Sequence, residues 1–160
     1  MSAKRGANRT GQSQRLLTVP EIITDYRPYW PTSNLYLSLP LVSPHDASVE
    51  RVNLLHLQSR GLIEFTGLGE AGGKPLIVPW IMVNGQPLKL WGRLEWERLD
   101  YWLPRFRLQQ AGLELTGTIY APVGHKGFVY LLQVTNRSQG TLETALGLEG
   151  LWVYSLQTVY

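Results

Sequence analysis

Two glutamates, Glu95 and Glu97, flank a tryptophan in Leu94-Glu95-Trp96-Glu97-Arg98, with Asp100 close behind. On a strand they would share a face about 7 Å apart, a separation compatible with the paired carboxylates that hydrolyse glycosides. Such a site needs its carboxyl groups on opposite sides of a sugar ring, whereas alternate residues of one strand point the same way into water. Arg93 and Arg98 offer simple ion-pair partners. No catalytic residue is therefore assigned. His45, His56 and His125 show neither i, i+4 nor His-x-His spacing, so no metal site is assigned either. The absence of Cys removes thiolate catalysis, disulfides and cysteine-based zinc sites together. Neither a Gly-x-Ser-x-Gly elbow nor a phosphate loop is present.

Gly67-Leu68-Gly69-Glu70-Ala71-Gly72 matches the G-x-G-x-x-G pattern of dinucleotide sites. That chemistry requires a helix to open at the loop, so that its N-terminus meets the pyrophosphate. The chain continues instead as Gly73-Lys74-Pro75-Leu76-Ile77-Val78-Pro79, with two prolines and β-branched residues. The segment reads as a connecting loop, and no cofactor is expected.

The aromatic residues are the remaining candidates. Tyr26, Tyr29 and Trp30 cluster early, and Trp91, Trp96, Tyr101 and Trp102 cluster in the middle. Flat amphipathic rings fill cores, pack at domain interfaces or stack on sugar rings. If they bind a ligand, Trp91, Trp96 and Trp102 are the expected platform.

Length and composition bound what can position these residues. A chain of 160 residues with an apolar fraction of 44% fits one domain with a real core. The net charge of +3 is concentrated in the tail: Lys4, Arg5, Arg9 and Arg15 occupy the first fifteen residues, where there is no acid. The other eleven Lys and Arg face twelve Asp and Glu, so a nucleic-acid-binding face on the folded body is not expected. Residues 1–15 read as a disordered basic tail, and Gly6 and Gly11 spoil the amphipathic helix a transit peptide needs. No apolar run approaches the roughly 20 residues that span a bilayer, so no membrane partner is expected, and a cytoplasmic location fits.

Residues 16–160 read as a single all-β, mainly antiparallel β-sandwich. Pro20, Pro28, Pro31, Pro40 and Pro44 block any long helix at the start, with extended pieces possible at Leu35 to Leu41. A short helix is possible near 45–57, capped by Ser43 with Pro44 at its first turn and Val49, Val52 and Leu55 on one face; the same residues equally fit a strand. Leu62 to Thr66 and Leu76 to Val83 read as strands, the latter ending in Asn84-Gly85, a strong hairpin signal. Phe106 and Leu108 oppose Arg105 and Arg107 across a strand, and Leu113, Leu115, Ile119 and Ala121 alternate with Glu114, Thr116, Thr118 and Tyr120. Leu142, Leu146, Leu148 and Trp152 form one later face. Turns about every ten residues complete the sandwich or barrel signature. Phe128 to Leu132 is apolar on both faces, which implies a centrally placed strand or two packing layers. The strand pattern runs to Tyr160 without a closing turn, so the sandwich is expected to be the front part of something larger.

The order of Tyr101-Trp102-Leu103-Pro104-Arg105-Phe106, Ile119-Tyr120-Ala121-Pro122, Gly124-His125-Lys126-Gly127-Phe128-Val129-Tyr130, Val134-Thr135-Asn136-Arg137-Ser138 and Leu146-Gly147-Leu148-Glu149-Gly150-Leu151-Trp152 carries a resemblance. It is similar to the N-terminal super-sandwich (galactose-mutarotase-like) domain of the six-hairpin, or α/α-toroid, glycoside hydrolases and phosphorylases, including glucoamylase-like and debranching-enzyme-like members. The resemblance covers about residues 60–160. It implies that the acid and base carboxylates lie in a helical toroid rather than in the sandwich, so none transfers to this chain. The function it implies is a non-catalytic β-sandwich portion of a carbohydrate-active enzyme, with a catalytic α/α toroid or a carbohydrate as partner. The alternatives are a stand-alone carbohydrate-binding module and a structural or protein-interaction domain.

Overall fold

The computed structural model describes residues 29–56, 61–68 and 74–158. The basic tail at 1–15 and the centre of the glycine-rich segment at 69–73 lie outside the described residues. Twelve strands are present among the described residues, with no helix. They are β1 (Thr32–Ser33), β2 (Leu37–Val42), β3 (Val49–His56), β4 (Gly61–Gly67), β5 (Ile77–Val83), β6 (Gln86–Pro87), β7 (Glu95–Leu99), β8 (Leu103–Gln110), β9 (Leu113–Tyr120), β10 (Val129–Asn136), β11 (Thr144–Gly150) and β12 (Trp152–Thr158). All pair antiparallel, in a four-stranded sheet ordered β10-β9-β8-β7 and an eight-stranded sheet built on β1-β2-β3-β4-β12. The fold is all-β, consistent with a sandwich.

The possible helix near 45–57 is a strand instead. β3 lies between β2 and β4, and its register pairs Leu54 with both Leu37 and Ile63. The three-residue spacing of Val49, Val52 and Leu55 fits a helix face, but β-branched side chains pack better on a pleated surface, and two neighbouring strands satisfy the backbone.

The larger sheet ends in one long strand pair. β4 and β5 run in the same direction, with residues 68–76 between them in the chain. β12 pairs with β4 from Trp152↔Gly67 to Thr158↔Gly61, and β11 pairs with β5 from Thr144↔Val83 to Gly150↔Ile77. Only Leu151 separates the two halves on the outer strand. After the glycine-rich segment the chain enters β5, not a helix, so the dinucleotide pattern has no helix N-terminus beside it.

Tight turns set the hairpins. Asn84 (φ 49°) and Gly85 (φ 74°) form the left-handed pair required between β5 and β6. Asn84 also donates its backbone N–H to Glu143 O (2.8 Å) and accepts the Glu143 N–H on Oδ1 (3.1 Å), which ties the turn to the start of β11.

The core lies between the sheets. In β8, Pro104, Phe106 and Leu108 are buried, and in β9 Leu113, Leu115 and Ile119 are buried, as the alternation predicts. Facing them are Leu39, Val42, Val49 and Ile81 from the larger sheet. The Phe106 ring lies over Gly117, its partner across the ladder, and a Cβ there would overlap the ring. Trp96 and Tyr130 pack against both halves of this core. Each also reaches across to the β2–β3 turn. The Trp96 indole N–H donates to Pro44 O (2.8 Å), and the Tyr130 hydroxyl donates to Ala47 O (2.8 Å).

Candidate functional site

The three tryptophans read as a platform occupy three different environments. Trp96 is a packing residue. It lies opposite Phe106 across β7–β8, its ring contacts that of Phe106 (centroids 5.2 Å apart), and it also stacks on Trp30 (5.1 Å, 12° between planes). Trp91 is exposed and stacks on His45 (4.7 Å, 24°), beside a shallow cleft shared with Tyr29, Asp46 and Glu50. Asp46 is committed to local structure there: one carboxylate oxygen accepts the Ser48 N–H (3.1 Å) and the Ser48 hydroxyl (2.7 Å). Trp102, 60% exposed, lies on the wall of a separate cleft of about 560 Å³. That volume falls within the usual range for small-molecule sites.

Three elements build the Trp102 cleft. β1 and the β1–β2 turn supply Ser33 and Tyr36, the end of β7 and the β7–β8 turn supply Arg98 and Trp102, and the end of β9 with its succeeding loop supplies Tyr120 and Pro122. Asn34 fixes the first wall to the third. Its side-chain oxygen accepts the backbone N–H groups of Tyr36 (2.8 Å) and Leu37 (2.9 Å). Its amide nitrogen donates to the carbonyls of Pro122 and His125. The middle wall holds backbone strain: Asp100 (φ 49°) and Tyr101 (φ 70°) form a left-handed turn without glycine, closed by Trp102 N–H to Leu99 O (3.1 Å). A bulky residue at positive φ is disfavoured, and this turn presents Trp102 outward.

Arg98 is two residues beyond Trp96, so both belong to the core-facing side of the edge strand β7. Its guanidinium carbon lies over the Trp30 ring, 5.0 Å from the centroid. Lys126 lies over the Tyr36 ring at 5.7 Å. Among the described residues no carboxylate lines the cleft and Arg98 has no acidic partner.

Glu95 and Glu97 lie on the outer face of β7, opposite Arg107 and Arg105. Glu97 pairs with Arg105 (3.4 Å), while Arg107 and Arg137 converge on Glu114 at 3.7 and 2.8 Å. This is a row of ion pairs on one sheet face, not two carboxylates across a substrate. Among the described residues no group of three His, Asp or Glu could hold a metal ion, and no helix is long and apolar enough to cross a membrane.

A second surface feature is a row of apolar side chains. Leu146 and Leu148 lie opposite the buried Ile81 and Pro79, and Tyr154 lies opposite Phe65, itself opposite the buried Val52. Ladder partners share a sheet face, so Leu146, Leu148, Tyr154 and Leu156 belong to the core-facing side. Their exposure is nevertheless 41–71%. The smaller sheet stops at β10, short of them. β10 pairs only with β9 among the described strands, so the apolar strand expected in a central place is an edge strand instead. Its Leu131 is 53% exposed.

Sequence reasoning singled out Trp102 but missed Arg98, Tyr36 and Asn34. The signal for Arg98 was its two-residue spacing from Trp96; Asn34 and Tyr36 are brought in by a turn far away along the chain, with no local mark. No protein-family model, no curated protein and no solved structure matches the chain.

Proposed function

We propose that the chain is a non-catalytic β-sandwich unit of a carbohydrate-active enzyme, packing against and shaping a sugar-processing domain. The observation that carries this reading is the uncovered row on β11 and β12 beside the open edge of β10. Fully burying one large apolar side chain stabilises by about 1.5–3 kcal/mol, so covering several half-exposed ones would hold a neighbouring layer firmly. The identity of that layer as an α/α toroid rests on the sequence resemblance. The reading is tested by amide hydrogen exchange on the chain alone and mixed with an α/α-toroid glycosidase domain. Slowed exchange in β10 and β12 on mixing is the expected result; unchanged exchange across a saturating titration contradicts it. Assays on α- and β-glucosides should show no turnover by the chain alone. Turnover abolished by Glu95→Gln or Glu97→Gln would instead make it an enzyme.

A second reading is favoured by a specific observation, the exposed Trp102 in a preformed cleft with Tyr36 and Tyr120. Here the unit binds carbohydrate itself, a ring stacking on the indole. Quenching or shift of tryptophan fluorescence on adding oligosaccharide, lost in Trp102→Ala, is the expected result.

A further inference from the structure

We propose that the cleft between the β1–β2 turn, the β7–β8 turn and the loop after β9 selects a pyranose carrying a carboxylate, a uronic-acid unit, over a neutral sugar. The inference rests on the carbohydrate-binding reading of the same cleft and adds the charge of the ligand to it.

Two features of the wall carry it. The first is ring-sized apolar surface: Trp102, Tyr36 and Tyr120 line the cleft, and more than half of the Trp102 surface is open to it and to solvent. Indole and phenol faces accept the apolar face of a sugar ring. The second is one-signed charge. Arg98 lies in the wall, and Lys126 lies beside Tyr36 at the rim. Among the described residues no Asp or Glu lines the cleft; Asp100, the closest of them in sequence, is not among its walls. The guanidinium carbon of Arg98 lies over the Trp30 ring, and a guanidinium carried on an aromatic face keeps its N–H edges for partners in its own plane. A guanidinium held in this way is suited to a two-pronged contact with a carboxylate. Asn34 cannot take that role, because its amide and carbonyl already hold the turn and the loop together. A neutral sugar would leave the cationic charge of the wall unmatched.

The experiment titrates the full chain with a uronic-acid trisaccharide and with its carboxyl-reduced neutral counterpart, following tryptophan fluorescence and binding heat. The acidic trisaccharide should bind about tenfold or more tightly than the neutral one, the scale of one charge-assisted hydrogen-bonded contact. The preference should shrink as salt is raised. Arg98→Gln should remove the preference while leaving neutral binding in place, and Lys126→Gln should reduce it. Trp102→Ala should weaken both ligands. Circular dichroism verifies the fold of each variant, and Arg98→Lys, which keeps the charge but not the planar fork, should retain part of the preference. Equal binding of the two trisaccharides would overturn the charge selection while leaving the stacking reading standing. Binding of neither at millimolar concentration would overturn both.

Discussion

Tyr130 joins the two halves of the core and holds the β2–β3 turn through its bond to Ala47 O. Burial, and next the negative Asp46 carboxylate, push its phenol well above the ordinary tyrosine value. The unfolded chain ionises this group near pH 10 and the folded chain does not, so in that range the unfolded state binds fewer protons. Its contribution is complete below about pH 10 and is lost as the pH climbs from there through the folded value. Tyr130→Phe should destabilise the protein by about 1 kcal/mol at neutral pH, where the Ala47 carbonyl loses its donor. In urea melts the gap between the two proteins should narrow above about pH 10. Strain at single residues runs the other way. Tyr101 is 96% exposed and held at φ 70°. Tyr101→Gly relieves a left-handed conformation that disfavours L-residues by about 1–2 kcal/mol, so a rise in the thermal midpoint is expected.

At the scale of elements, β8 and β9 form the best-specified pair. Their register sets Phe106 against Gly117 and Leu108 against Leu115. Gly117→Ala would drive a methyl into the Phe106 ring, and overpacking of this kind costs about 1–3 kcal/mol. A fall of that size in unfolding free energy, with the strand signal in circular dichroism retained, is the expected result. The same pair was the most legible in the sequence, because Arg105, Phe106, Arg107 and Leu108 alternate without interruption and one face is wholly buried. β3 was not legible: the three-residue spacing of Val49, Val52 and Leu55 fits a helix face while the β-branched Val49 and Val52 suit a strand, and only the strands on both sides decide between them. The tryptophans were legible as a set but not individually. Trp96 and Trp102 lie close together in similar sequence surroundings. The cross-strand partner Phe106 sends Trp96 inward, while the left-handed turn at Asp100 and Tyr101 sends Trp102 outward. The apolar run of β10 signalled covering layers on both faces, yet the face carrying Leu131 is open, because among the described residues no third layer lies over the smaller sheet, and the number of layers is a property of topology rather than of local pattern.

For the whole molecule, the two sheets are unequal, and the proposed interface arises from that inequality. The core-facing sides of β11 and β12 project beyond β10 and keep apolar side chains in water. Contiguous exposed apolar surface is the kind that interaction sites use, and the proposed neighbouring layer would cover it. The most direct measurement is the melting of Leu148→Ser/Tyr154→Ser/Leu156→Ser, a variant that removes most of the row, against Leu115→Ala in the sealed core. With the row uncovered, the triple variant should change stability by no more than about 1.5 kcal/mol, as three surface substitutions do, and should bind less of a hydrophobic dye. Leu115→Ala should cost about 2–5 kcal/mol. A triple variant that loses as much stability as Leu115→Ala, or more, would mean the row is already covered within this chain and would contradict an open docking face.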